Sequence, residues 1–205
     1  KLGTPLQFYR ECAYYASKGM VAVSVDYRIE YLHHSTPFDS FEDAKDAICW
    51  LRSHASDYQL DPDKIAVAGG SAGGHLAAAL GTIGSDEAVN YRPNLSVLYY
   101  PVVDMVSRGY GFPEIKRDFE KISPIHHVSE ATPSTLILLG TKDPIVSVET
   151  IRSYQDKLLQ KGVDCELHLF GGAGHPIFLY RKPLTEDYYK VRKLTDDFLK
   201  REGFL

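Results

Sequence analysis

The chain has 205 residues, of which 44% are hydrophobic, 24% charged and 12% aromatic, and its formal net charge is -4. A chain of this length can bury roughly 70% of the surface that its unfolded form exposes, so residues 1–205 are predicted to form one α/β domain. Scattered Lys and Arg residues exclude a positive surface for nucleic acid, and no apolar run approaches the ~18 residues of a membrane span.

Short runs rich in Val, Ile and Leu alternate with longer segments of helical period. This pattern predicts a mainly parallel sheet of about five strands with helices on both faces. In chain order, the predicted strands are Val21–Asp26, Lys64–Gly69, Ser96–Tyr100, Thr135–Gly140 and Cys165–Phe170. The predicted helices are Phe8–Lys18, Ser40–Tyr58, Ala72–Thr82, Val148–Lys161 and Asp187–Arg201. Residues 102–128 lack a sustained period and predict an irregular cap or lid.

The second predicted strand ends in the sequence Gly-Gly-Ser-Ala-Gly-Gly, residues 69–74, and a helix follows at once. Gly69, Ser71 and Gly73 thus form a G-x-S-x-G motif in the strand–helix context that a nucleophile elbow requires. In so tight a turn, side chains two residues either side of the serine would collide, and the hydroxyl projects from the sheet. We therefore predict Ser71 as a nucleophile and the N–H of Ala72 as part of an oxyanion hole.

A serine hydroxyl needs a base that takes its proton and a third group that orients the base. Asp143 comes shortly after the fourth predicted strand, and His175 shortly after the fifth. Both side chains therefore follow the carboxyl ends of strands, where ligands bind in open parallel sheets. The chain order Ser71, Asp143, His175 matches the order found with a nucleophile elbow. His175 is predicted as the general base and Asp143 as the acid that orients it.

Other polar residues compete for these roles. His75 is a rival base four residues after Ser71, although on the same helix its side chain would point away from the elbow. Asp104 is a rival acid that could instead cap or anchor the lid. The pairs His33-His34 and His126-His127 have no carboxylate or thiol at ligand spacing, so neither a metal nor a cofactor is predicted.

Four segments carry a family resemblance. They are Asp26-Tyr27-Arg28, Cys49-Trp50-Leu51-Arg52, Leu60-Asp61-Pro62-Asp63-Lys64-Ile65 and Gly69-Gly70-Ser71-Ala72-Gly73-Gly74. Together they resemble the esterase and lipase branch of the α/β-hydrolases. Within that branch the chain is most similar to acetyl xylan esterase-like and feruloyl esterase-like carbohydrate esterases. The resemblance implies that a small-molecule or polysaccharide ester is hydrolysed through a Ser-His-Asp triad and an acyl-enzyme.

Aromatic residues near or within the predicted cap offer faces that could stack on sugars or aromatic acyl groups, or could simply pack the lid. They are Tyr99, Tyr100, Tyr110, Phe112 and Phe119. Gly70, Tyr100 and Tyr27 are the predicted substrate-binding residues. Two other functions stay open, namely a serine peptidase of the prolyl-oligopeptidase type and a catalytically weak binding or structural module.

The resemblance also implies strands and a His-Gly-Gly-Gly loop before the first helix, and Lys1-Leu2-Gly3-Thr4 would align just after that loop. Without this part of the oxyanion hole, turnover is expected to fall by about 10² to 10³. A further strand would normally separate Val21–Asp26 from Lys64–Gly69. We therefore expect these two strands to pair directly, or copies of the chain to complete the sheet as a homo-oligomer.

Overall fold

A parallel sheet of four strands forms the centre of the structure, a computed structural model that describes residues 4–84, 91–105, 118–180 and 184–205. The strands are β1 (Ala66–Gly70), β2 (Leu95–Tyr99), β3 (Thr135–Gly140) and β4 (Cys165–Phe170). They lie in the order β1-β2-β3-β4, so each strand pairs with the next one along the chain. The carboxyl ends of all four strands therefore meet at one edge of the sheet.

Helices flank the sheet and connect its strands. They are α1 (Tyr9–Ala16), α2 (Glu30–His33), α3 (Pro37–Ser53), α4 (Ala72–Thr82), α5 (Phe119–Ile122), α6 (Val148–Gln160) and α7 (Glu186–Arg201). Short 3-10 turns occupy Pro5–Phe8 and Pro124–His126. Every residue of β2 and β3 is buried. Burial along the full length of a strand requires cover on both faces of the sheet, as in other parallel α/β folds.

Local sequence signals explain where the longer helices begin. Thr36 precedes α3 and forms a reciprocal capping box with Asp39, in which the Thr36 N–H donates to the Asp39 carboxylate at 2.7 Å. Ser147 accepts a hydrogen bond from the Thr150 N–H at the start of α6. Thr185 does the same for Tyr188 at the start of α7. Each cap gives an acceptor to an N–H group that has none within the helix.

The predicted α/β fold class is confirmed. The bounds of α4, β3 and β4 agree with the predicted elements residue for residue, whereas β1 begins at Ala66 rather than Lys64. The flanks of the predicted cap pack into the core, because Ile122 and Ile125 are buried. Residues 106–117, which include Tyr110 and Phe112, lie outside the described residues. The single domain spanning 1–205 stays a prediction.

The predicted strand Val21–Asp26 is wrong. Residues 20–29 form neither strand nor helix, and the sheet of the described chain has four strands rather than five. Val21 and Val23 are 48% and 51% exposed, so the apolar run that suggested a buried strand is not buried. The segment is instead tied to the 3-10 turn, since the Ser24 hydroxyl donates to the Pro5 C=O at 2.8 Å.

Direct pairing of this segment with β1 is therefore wrong as well. β1 lies at one edge of the described sheet, with β2 as its neighbour. Completion of the sheet by a second copy stays a prediction, for which an edge strand is the general physical reason. Within the described ranges, no helix combines the length and the apolar character that crossing a membrane requires.

Candidate active site

Ser71 lies in a strained turn between β1 and α4. Its φ of 55° and ψ of -114° are unfavourable for a residue with a side chain, at a typical cost of about 1 to 3 kcal/mol. The surrounding backbone holds this conformation in place. The Ser71 N–H donates to the Tyr99 C=O at 3.0 Å, and the Ser71 C=O accepts from the His75 N–H at 2.9 Å.

The glycines around Ser71 differ in how far the turn requires them. A Cβ on Gly69 would lie 2.2 Å from the C=O oxygen of Gly73, so only glycine fits at position 69. A Cβ on Gly73 would meet nothing within 4 Å, so the collision expected on that side of the serine is absent. A side chain is therefore excluded at position 69 but not at position 73, because a Cβ at position 69 would collide with the backbone of Gly73.

The loops after β3 and β4 are bonded to each other. The N–H of Thr141 donates to the Phe170 C=O and that of Lys142 to the Ala173 C=O, both at 2.9 Å. The Thr141 hydroxyl accepts from the Gly172 N–H at 2.8 Å. A Cβ on Gly140 would lie 2.4 Å from the Ala173 oxygen, so glycine is required at the point where the loops approach most closely. These contacts fix the acid loop and the histidine loop as one unit.

The structure brings the three predicted catalytic side chains together. Nε2 of His175 lies 2.8 Å from the Ser71 hydroxyl oxygen, and Nδ1 of His175 lies 2.7 Å from Oδ2 of Asp143. Both distances are within the range that proton transfer between side chains requires. The His175 side chain is 14% exposed and the Asp143 side chain is fully buried. This geometry allows Ser71 to give its proton to His175 while Asp143 holds the opposite side of the imidazole.

The buried Asp143 carboxylate has donors for both of its oxygens. Oδ1 accepts from the N–H groups of Ile145 and Val146, at 2.8 and 3.0 Å, and Oδ2 faces His175. A buried carboxylate is tolerated when such donors replace water. The same bonds fix the rotation of the carboxylate, so Oδ2 is held towards the imidazole.

Ala72 is the first residue of α4. The first N–H groups of a helix have no acceptor within the helix, and the helix dipole makes this end positive. An oxygen that becomes negative next to Ser71 would therefore meet a favourable electrostatic environment. The predicted role of Ala72 in the oxyanion hole stays a prediction.

The predicted substrate-binding residues are placed differently from one another. Tyr100 packs against the His175 imidazole with ring centroids 4.8 Å apart, and it is only 5% exposed. Gly70 lies beside the same ring, because a Cβ there would be 2.6 Å from the Tyr100 hydroxyl oxygen. Tyr27 is half-buried against the hydrophobic core. The substrate contacts of all three residues stay predictions.

The rival residues take other positions. His75 is buried in α4, and its Nδ1 lies 2.9 Å from the Val102 C=O. Burial lowers the pKa of His75 to about 4, so this histidine is neutral at pH 7. The carboxylate that faces His175 belongs to Asp143 rather than to Asp104. Among the residues that the structure describes, no group of three or more His, Cys, Asp or Glu side chains could hold a metal ion.

Sequence reasoning missed the residues that support the three side chains. Thr141 links the two loops, and the N–H groups of Ile145 and Val146 fix the Asp143 carboxylate. The Gly-Thr pair at positions 140 and 141, directly after a buried strand and just before Asp143, was an available signal for a close loop contact. The contact between Tyr100 and His175 has no local sequence signal, because the two residues are far apart in the chain.

The sheet, the elbow and the grouped side chains define an α/β-hydrolase of the esterase branch, which confirms the resemblance noted in the sequence. Residues 5–116 match the BD-FAE family model, and the chain belongs to the BD-FAE family.

Known proteins similar to this chain include esterases. The probable carboxylic ester hydrolase LipM of Mycobacterium tuberculosis is 30% identical over 169 residues, covering 71% of this chain and 39% of LipM. An acetylxylan esterase of Xylanibacter ruminicola is 25% identical over 199 residues, covering 87% of this chain and 40% of that enzyme. The chain thus spans about two fifths of the length of these curated relatives.

A similar solved structure is that of the thermophilic esterase Est2 from the planctomycete Thermogutta terrifontis. It matches with a TM-score of 0.92 and 35% identity, covering 100% of this chain and 79% of that chain. Est2 has also been solved with propionate and with butyrate bound, with TM-scores of 0.91 and 0.90 to this chain.

The buried His75 makes the stability of the fold depend on pH. Burial lowers its pKa from 6.5 to about 4, so between these values the unfolded chain binds a proton that the folded chain does not. The free energy of unfolding is therefore at its full value above the pKa that His75 has in the unfolded chain. It falls by about 3 kcal/mol as the pH drops through the pKa that His75 has in the folded chain. We expect His75→Gln, which keeps an amide donor for Val102, to show a smaller fall in the free energy of unfolding across this range. Urea titrations of both proteins at several pH values test this, and parallel curves would contradict it.

Proposed function

We propose that this chain is a serine carboxylic-ester hydrolase in which Ser71 is the nucleophile, His175 the general base and Asp143 the orienting acid. The observation that carries the proposal is the continuous contact from the Ser71 hydroxyl through both imidazole nitrogens to a buried carboxylate, at 2.8 and 2.7 Å. The esterases among its relatives and solved neighbours support the same activity.

The first half of the proposed reaction forms an acyl-enzyme. The Ser71 oxygen attacks the ester carbonyl carbon while Nε2 of His175 takes the hydroxyl proton. Asp143 keeps the imidazole in the tautomer whose Nε2 can accept, and it stabilises the imidazolium that forms. The carbonyl oxygen becomes an oxyanion, for which the N–H of Ala72 is the proposed donor. The bond to the alcohol oxygen then breaks, and Nε2 returns the proton to the departing alcohol.

The second half hydrolyses the acyl-enzyme. Water takes the place of the alcohol, and His175 removes a proton from it as the water oxygen attacks the acyl carbon. The bond to the Ser71 oxygen breaks, His175 gives the proton back to Ser71, and the carboxylic acid leaves. Every proton in the cycle passes through one nitrogen, Nε2 of His175.

For the substrate, we propose an ester of a carbohydrate, with acetylated or feruloylated plant polysaccharide as the leading class. The acetylxylan esterase relative supports a sugar ester. The propionate and butyrate found in Est2 support a short acyl group. Acetyl is the substituent that fits both lines of support, so we place it ahead of feruloyl.

The first test is covalent labelling of the nucleophile. A fluorophosphonate probe reacts with activated serine hydroxyls, so we expect it to label the chain and to lose all labelling in Ser71→Ala. Ser56→Ala is the matched control, because Ser56 is an exposed serine in a turn after α3. Its labelling should equal that of the parent chain. Undiminished labelling of Ser71→Ala would refute the nucleophile assignment.

The second test addresses the orienting acid. In Asp143→Asn the amide oxygen can still accept from Ile145 and Val146, which leaves the amide NH₂ group facing Nδ1 of His175. The imidazole must then carry its proton on Nε2 and cannot take one from Ser71, so we expect kcat to fall by about 10⁴ with the fold intact. Asp57→Asn, at an exposed position, is the matched control. Similar kcat values for 4-nitrophenyl acetate in both variants would contradict the assignment.

The third test separates the candidate reactions by substrate. We expect hydrolysis of 4-nitrophenyl acetate to exceed that of an aminoacyl 4-nitroanilide, with Ser71→Ala as the blank. Preference for the anilide would favour a peptidase of the prolyl-oligopeptidase type.

Release of acetate from acetylated xylan, measured against release of ferulate from feruloylated arabinoxylan, then tests the proposed sugar ester. Folded protein without any Ser71-dependent turnover would favour a binding or structural module.

A further inference from the structure

Tyr100 has an unusual backbone conformation directly beside the candidate catalytic histidine. Its φ is +38°, a value that is rare and strained for a bulky residue. The residue is held there at the end of β2, since its N–H donates to the Leu138 C=O at 2.7 Å. Strained residues of this kind cluster at functional sites, where the surrounding structure imposes them.

The side chain of Tyr100 joins two parts of the histidine loop. Its ring packs against the His175 imidazole at an interplanar angle of 63°, and its hydroxyl donates to the Phe178 C=O at 3.4 Å. Phe178 is itself buried and packs against Tyr99 with ring centroids 4.6 Å apart. One buried ring thus contacts both the imidazole and the segment that follows it.

This packing restrains a motion that the hydrogen bonds of His175 leave open. The bonds to Ser71 and Asp143 lie at the two nitrogens, so both fix the ring along a single line. Neither bond strongly opposes tilting of the imidazole about that line. An aromatic ring packed against the imidazole does oppose it.

Gly70 gives a second, independent sign that this position of the Tyr100 ring matters. Its φ lies outside the left-handed region, so the backbone itself does not require glycine there. A Cβ at position 70 would, however, lie 2.6 Å from Oη and 2.8 Å from Cζ of Tyr100. The residue next to the nucleophile therefore lacks a side chain where the Tyr100 ring needs the space.

We propose that Tyr100 is a positioning residue that holds the His175 imidazole in line with Ser71, and that Gly70 provides the space for its ring. This inference rests on the proposed function, and it differs from the substrate-binding role predicted for both residues. A side chain that is 5% exposed offers little surface to a substrate.

The kinetic test compares Tyr100→Leu with Tyr100→Phe. A misplacement of about 1 Å can lower a rate by about 10²-fold, so we expect Tyr100→Leu to lower kcat by about 10- to 100-fold with little change in KM. Tyr100→Phe keeps the ring and should stay close to the parent enzyme. Tyr154→Leu is the matched control, because Tyr154 is a buried tyrosine in α6. It should lower stability and leave kcat unchanged.

Two outcomes of these kinetics would overturn the inference. A raised KM with unchanged kcat in Tyr100→Leu would assign Tyr100 to substrate binding instead. An unchanged kcat and KM, with stability lowered as in Tyr154→Leu, would leave it a core residue only.

Gly70→Ala alone keeps the proposal testable if Tyr100→Leu folds poorly, and a double-mutant cycle tests the coupling of the two positions if it folds. Gly70→Ala should displace the ring and lower kcat on its own. In Gly70→Ala combined with Tyr100→Leu, the new methyl group has no ring to displace, so the double variant should be no slower than Tyr100→Leu. Fold-changes that simply multiply would show that the two positions act independently, which contradicts the proposal.

A spectroscopic measurement separates this inference from the proposed function. The proton between Nδ1 of His175 and Asp143 lies in a short, charge-assisted contact and should give a far-downfield ¹H signal that His175→Ala removes. We expect the signal to persist in Tyr100→Phe and to broaden or vanish in Tyr100→Leu. A signal that follows this pattern without ester turnover would sink only the proposed function. Ester turnover with the same signal and the same kcat in Tyr100→Leu would sink only the inference.

Discussion

The buried carboxylate of Asp143 is the constraint on which the rest of the site depends. A charge without access to water needs donors for both oxygens, and these come from the two following amides and from His175. The imidazole belongs to a different loop, so the carboxylate is satisfied only while the loops after β3 and β4 stay together. Gly140 permits that close approach, and Thr141 bonds across it. The contact proposed to orient the base is therefore also a structural requirement of the sheet edge.

Just beyond two neighbouring strands, a non-glycine residue has a φ angle in the left-handed region. Ser71 follows β1, and Tyr100 follows β2. Strain of about 1 to 3 kcal/mol at each is a sizeable share of the net stability of an ordinary domain. At Tyr100 the strain persists because β2 and its neighbour β3 are buried along their whole length. At Ser71 it persists because the backbone N–H and C=O are held by hydrogen bonds to Tyr99 and His75. Core packing and these bonds thus hold the proposed nucleophile, and the ring beside the proposed base, in conformations that a free chain would avoid.

Much of this arrangement could be predicted from the sequence, for identifiable reasons. α4, β3 and β4 have strong local patterns. The G-x-S-x-G motif, the positions after strand ends and the chain order together pointed to Ser71, Asp143 and His175. The prediction of a strand at Val21–Asp26 was wrong because an apolar run forms a buried strand only if another element covers it. Whether such cover exists depends on tertiary packing. The sequence could not predict the contact of Tyr100 with His175 or the absence of crowding at Gly73. Both depend on distances between segments, which no local pattern encodes.

The sheet also explains how three side chains from separate loops keep their relative positions to within hydrogen-bonding distance. Just past the strand ends, the Ser71 N–H donates to the C=O of Tyr99, which links β1 to β2. The Tyr100 N–H donates to the C=O of Leu138, which links β2 to β3. The Thr141 N–H then donates to the Phe170 C=O at the end of β4. These lateral bonds connect all four strands at the edge that carries the site. A shift of one strand would move one of the three side chains relative to the others, so the register of the sheet determines the geometry of the proposed triad.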